Sequence, residues 1–168
     1  IPAAKDPAAV DRKLIERYGV DVSKWARARR KRAGLANMHY LRYGRLFVLL
    51  ATHGEHRFFA DEGGAVRDAR RTPIRCFGYS VSSRGGHAHV RIAEDEYKRL
   101  RAFMLDLAPH RSAEELEQRL RSVPFEPYAP VRRQLLNIWR AVNRERRAGG
   151  LQPLRIECLR LRRRIVRP

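Results

Sequence analysis

"IRCFGYSVSSRGGHAHVRI" (Ile74–Ile92) decides how this 168-residue chain folds. Two strand-like arms flank "SRGG", and paired glycines suit a tight hairpin turn because glycine adopts positive φ without a steric cost. The first arm reads from Ile74 to Ser82 and the return arm from His87 to Ile92. Side chains alternate along a strand. Ala88, Val90 and Ile92 are therefore expected to face helices, and His87, His89 and Arg91 to face away from them. On the first arm Phe77, Tyr79 and Val81 share a face, opposite Cys76, Gly78 and Ser80. The register across the turn is open at this level, so either set can join the histidines.

Downstream, "EDEYKRLRAFMLDLA" is an amphipathic helix with Tyr97, Leu100, Phe103, Met104 and Leu107 on one face. "SAEELEQRLRSV" opens on a capping box, Ser112 with Glu115 three residues on. "PYAPVRRQLLNIWRAVNRERRAGG" is a longer helix built on Val131, Leu135, Ile138 and Val142. "LRIECL" alternates as a strand, with Leu154, Ile156 and Cys158 inward.

Upstream, "DPAAVDRKLIERYG" has Asp6 as cap, Pro7 at the first helical position and Gly19 as stop. "DVSKWARARRKRAG" is a second helix, from Ser23 as cap to Gly34 as stop. "MHYLRYGRLFVLLATH" is one long strand or two breaking at Gly44, with "LFVLLA" (Leu46–Ala51) read as buried. The following residues are loop-rich, with at most one helical turn between Gly64 and Arg71.

The order α-α-β-(short α)-β-β-α-α-α-β predicts an α+β fold. Its expected form is a ferredoxin-like split βαβ arrangement, an antiparallel-rich sheet with helices on one face, preceded by two N-terminal helices. One domain is expected over 1–168: a basic helical arm (1–35), an α+β core (38–159) and a basic tail (160–168).

Charge sets the partner. The chain has 37 Lys+Arg against 18 Asp+Glu, a net +19 and a pI near 11.3. Such self-repulsion is offset most directly by a polyanion, which makes RNA or DNA the expected partner. Only five of the basic residues are Lys, so arginine-rich codon usage accounts for Arg over Lys, yet not for the shortage of acids. No apolar run reaches the ~18–20 residues of a membrane span, and no secretory signal pattern appears. Cys76 and Cys158 fit no zinc spacing and make a poor disulfide framework. The expectation is a cytoplasmic, reduced protein without a membrane partner.

Three basic clusters are candidate backbone contacts. Lys24, Arg27, Arg29, Arg30, Lys31 and Arg32 crowd one helix around Trp25, which reads first as packing and second as a base-stacking platform. Arg144, Arg146 and Arg147 form a second cluster, and Arg160, Arg162, Arg163 and Arg164 a third. The hairpin adds Arg75, Phe77, Tyr79 and Arg91.

"RCFGYSVS" (Arg75–Ser82) resembles the basic-Gly-aromatic-Gly-aromatic octapeptide of RNA-recognition motifs, in which exposed aromatics stack on bases. It matches at Arg75, Phe77, Gly78 and Tyr79, and departs at Cys76, Ser80 and Ser82. "HAHVRI" (His87–Ile92) resembles the His-hydrophobic-His signature of HUH single-strand endonucleases. That resemblance implies His87 and His89 as ligands of Mg²⁺ or Mn²⁺, and a helical tyrosine as nucleophile. Tyr128 is the candidate by placement, since Tyr97 lies on an apolar face. Were the first long strand to pair with the histidine arm, His53 or His56 would approach the same site.

The leading expectation is a non-catalytic nucleic-acid-binding protein that needs no cofactor, working in a ribonucleoprotein or DNA-processing complex with other protein subunits. The alternatives are a metal-dependent HUH-type nuclease and an assembly protein that binds an acidic protein surface.

Overall fold

A computed structural model describes residues 1–159, so the third basic cluster (Arg160, Arg162, Arg163 and Arg164) lies outside the described residues. The chain is of the α+β class and divides by its internal contacts into two compact units, Ile1–Val66 and a second beginning at Arg67.

The first unit contains α1 (Pro7–Arg17), α2 (Lys24–Arg32), β1 (Met38–Tyr43), β2 (Leu46–Ala51) and α3 (Arg57–Glu62). The Asp6 carboxylate caps α1, accepting from the Ala8 and Ala9 amides. β1 and β2 form an antiparallel hairpin in which Tyr43 pairs with Leu46, so Gly44–Arg45 is a two-residue turn with Gly44 at φ +56°. One hairpin face (Met38, Tyr40, Leu49, Ala51) packs on Tyr18, Val20 and Phe58. Leu41, Tyr43 and Leu46 on the other face are exposed, so "LFVLLA" is half-buried where a buried strand was expected.

The short helix falls at Arg57–Glu62, ahead of the Gly64–Arg71 window. His56 starts it, its Nδ1 accepting from the Phe58 amide at 3.0 Å. Leu35 and Glu55 bridge in parallel beside Gly54, which only glycine can occupy. A Cβ there would sit 2.5 Å from the Gly34 carbonyl oxygen.

The second unit contains β3 (Ile74–Cys76), β4 (Tyr79–Arg84), β5 (His87–Ile92), α4 (Glu94–Leu107), α5 (Ala113–Arg121), α6 (Ala129–Ala148) and a 3₁₀ turn (Ile156–Cys158). The strands form an antiparallel meander in the order β3-β4-β5. A ferredoxin-like layout would place βαβ crossovers within one sheet. Here the five named strands pair as the hairpin and this meander.

The return arm matches its expected bounds, but the first arm is two strands. Cys76 pairs with Tyr79, leaving Phe77 (φ +49°) and Gly78 (φ +76°) as a tight turn. Phe77 is the one described non-glycine residue at positive φ. It therefore lies on neither strand face, and the expected Phe77–Tyr79–Val81 row does not form.

Helices cover the Tyr79–Ile92 side of the meander. Val131, Leu135, Ile138 and Val142 of α6 pack with Ile92, Met104, Leu116 and Leu120 in one buried cluster. Phe103, expected on the buried face of α4, is 48% exposed, with the Arg119 guanidinium 5.6 Å from its ring. "LRIECL" is not a strand. The Asn143 side chain grips Leu154 from both sides, accepting from its amide (2.7 Å) and donating to its carbonyl (3.1 Å). Glu117 accepts from the Arg155 amide. Side chains thus satisfy the backbone groups a strand partner would have taken, and Ile156 turns outward.

Candidate nucleic-acid interface

The α2 helix sorts its basic residues into two sets. Ser23 caps it, and none of its side chains is buried. Arg27 and Arg30 turn inward: Arg27 donates to the Val20 and Val22 carbonyls, and Arg30 to the Gly19 carbonyl. Asn37 donates to the Arg27 carbonyl. These bonds, rather than an apolar stripe, fasten the helix to the α1–α2 connection.

Lys24, Arg29, Lys31 and Arg32 are exposed, and none has an ion-pair partner among the described residues. Trp25 is 77% exposed, which reverses the expectation that it packs the helix down. Trp25, Arg29 and Arg32 follow an i, i+4, i+7 spacing and so form one outward stripe.

Three acids of this unit are engaged away from α2. Asp11 accepts from Tyr40 and Arg42, and Asp61 from Arg17. The Tyr40 bond and the Arg42 guanidinium hold the Asp11 carboxyl below its ordinary value. Burial and Asp11 together push the Tyr40 hydroxyl up to about 12. Glu62 accepts from Tyr18.

In the meander, β5 pairs His87 with Arg84, His89 with Ser82 and Arg91 with Ser80, while Arg75 pairs with Ser80 from the other side. The histidine face therefore also carries Arg75, Ser80, Ser82, Arg84 and Arg91. Arg84, Ser80 and Ser82 were not among the expected site residues. The signal was in the sequence: a two-residue turn at Gly85–Gly86 fixes this register.

Two charges on the face are partly offset. Arg91 donates to Glu94 at 2.6 Å, and Arg75 lies 3.6 Å from Asp95. His89 Nδ1 and Arg91 Nε are shielded from solvent and have no hydrogen-bond partner among the described residues.

Other expected contacts have different places. Tyr79 packs against the helical core, edge-on to Phe125, and its hydroxyl accepts from the Glu126 amide. Phe77 is 58% exposed at the β3–β4 turn. Arg146 is buried, donating to the Ala108, Arg111 and Gln152 carbonyls, so it ties loops together. Arg144 and Arg147 are exposed.

The metal expectation meets different geometry. β2 pairs with β1 and β5 with β4, so among the described strands no pairing carries His53 and His56 toward His87. His56 is a helix cap instead. Among the described residues no three His, Cys, Asp or Glu side chains gather as a metal site. Tyr128 precedes α6 and packs edge-on to Tyr79, on the sheet face opposite His87 and His89. No described helix is long and apolar enough to cross a membrane. No protein-family model, curated protein or solved structure matches the chain.

Proposed function

We propose that the chain is a non-catalytic nucleic-acid-binding module for RNA or single-stranded DNA, acting within a larger ribonucleoprotein or DNA-processing assembly. The observation that carries this reading is the outward side of α2. Four exposed cationic side chains, none with an acidic partner among the described residues, share the helix with an exposed tryptophan. Phosphates would neutralise the cations, and an indole stacks on any base because every base has a π-face. The basic meander face, with Arg84, His87 and His89, is a second candidate contact.

The nuclease alternative draws on His87 and His89 sharing a face. It has less support, because Tyr128 lies on the other side of that sheet. Binding by the proposed mode needs no metal or other cofactor.

The test is fluorescence anisotropy with labelled single-stranded RNA and DNA across a salt series, in EDTA and in Mg²⁺. A variant with Lys24, Arg29, Lys31 and Arg32 all changed to Glu is the comparison. Wild-type binding is expected to weaken steeply with salt and to ignore EDTA. The variant should bind about 100-fold more weakly, and its salt slope should fall by ~0.7 for each phosphate it no longer neutralises. Unchanged affinity in the variant contradicts the proposal, as does metal-dependent cleavage by the wild type.

A further inference from the structure

Between α4 and α6 lies an open groove of about 380 Å³, lined by Tyr97, Arg101, Asn137, Arg140, Ala141 and Arg144. Two helical stripes build it. Tyr97 and Arg101 are one turn apart on α4, and Asn137, Arg140, Ala141 and Arg144 follow the i, i+3, i+4, i+7 spacing on α6. Ala141 is buried at its base, and Tyr97 packs its ring against the core.

Arg101, Arg140 and Arg144 are exposed, and none has an acidic partner among the described residues. Their neighbours differ. Lys98 and Arg99 pair with Glu94 and Glu96 on α4, and Arg146 is saturated by three carbonyls. Three uncompensated guanidinia around one groove repel one another, and an anion seated there would relieve that repulsion.

We propose that this groove binds a phosphomonoester, the terminal phosphate of a nucleic-acid strand or of a mononucleotide. Guanidinium forks match phosphate oxygens in paired hydrogen bonds. A dianionic terminal phosphate offsets three positive charges better than a singly charged phosphodiester. The Tyr97 hydroxyl and Asn137 amide supply polar groups of the kind that orient a ligand, and the volume lies at the small end of small-molecule sites. The site uses none of the α2 residues, so it stands or falls separately from the binding mode proposed above.

The test measures binding of the full chain to AMP against adenosine, and to one 15-nucleotide strand carrying a 5′-phosphate, a 3′-phosphate or hydroxyl ends. The comparison is the R101Q/R144Q double variant, checked by circular dichroism, with R140Q as a second variant. AMP is expected to bind at least about tenfold more tightly than adenosine. The preference should rise as pH passes the second phosphate pKa near ~6 and vanish in both variants.

A strand-end preference in addition to the AMP preference identifies the end of a nucleic acid as the source. AMP preference alone identifies a free nucleotide. Equal binding of AMP and adenosine together with equal binding of all three strands overturns the proposal. So does a phosphate preference that persists in folded R101Q/R144Q. Retained salt-sensitive strand binding with no phosphate preference removes this site while leaving the α2 reading intact.

Discussion

Helices α2 and α6 are both arginine-rich, and they are held in opposite ways. In α6 the arginines surround a stripe, Val131, Leu135, Ile138 and Val142, that is almost wholly buried. Each such side chain contributes about 1.5–3 kcal/mol of burial. In α2 nothing is buried, and two of its own arginines reach back to loop carbonyls to hold it in place. The difference separates arginine as a structural clamp from arginine as a free surface charge. Arg27, Arg30 and Arg146 are clamps. Arg29, Arg32, Arg101, Arg140 and Arg144 are exposed and have no acidic partner among the described residues.

The buried stripe of α6 is where a single substitution should do most damage. Leu135→Ala should cost about 2–5 kcal/mol by emptying a filled core position, read as a lower denaturant midpoint for the second unit. Nothing comparable is available in α2, where no side chain is buried.

On the α2 side, Arg27→Ala and Arg30→Ala should each cost about 1.5–3 kcal/mol, because charged hydrogen bonds to backbone are removed and loop carbonyls are left short of a donor. Arg29→Ala and Arg32→Ala should stay within about 0.5 kcal/mol of wild type. Thermal unfolding of the four variants sharpens the division between clamp and free charge. Equal destabilisation by all four would erase it.

A smaller effect is set by pH. Burial, with Arg30 and Arg57 nearby, lowers the His56 pKa below its ordinary 6.5. The unfolded chain therefore takes up the proton first as pH falls, and the folded form loses stability from about pH 6.5 downward, through the depressed folded value. Only the neutral ring can accept the Phe58 amide at Nδ1. His56→Asn keeps a capping acceptor without the titration, and its melting temperature should be flatter between about pH 7 and pH 5 than that of wild type.

Legibility in the sequence tracked how local the signal was. Asp6, Ser23 and the Ser112–Glu115 box cap the helices expected of them, and His87–Ile92 is a strand with the expected bounds, although Ala88, expected to face helices, is exposed. Each depends on residues within a few positions of one another.

The failures came from longer-range or rarer physics. A Phe–Gly turn is hidden inside an apparently continuous strand because phenylalanine seldom adopts positive φ. "LRIECL" alternates like a strand, but Asn143, eleven residues before Leu154, had already claimed its backbone. The basic character of α2 was plain from composition. Which arginines were structural was not, because their acceptors lie in the connection before the helix. Trp25 departs from expectation for a related reason: a tryptophan on a helix normally packs it down, and here arginines hold the helix instead.

The central claim is that nucleic acid seats on the free side of α2, and Trp25 reports on it directly. The chain has two tryptophans, Trp25 and Trp139. Trp139→Phe leaves Trp25 as the sole tryptophan, excited selectively at wavelengths where tyrosine does not absorb. Its fluorescence should begin at the long wavelengths of a solvated indole, then shift to the blue and quench as single-stranded RNA or DNA is titrated in at low salt. Trp25→Ala in the otherwise wild-type chain should lose about 1–3 kcal/mol of binding. Saturable binding by anisotropy with no change in Trp25 emission would contradict the claim and move the interface away from α2.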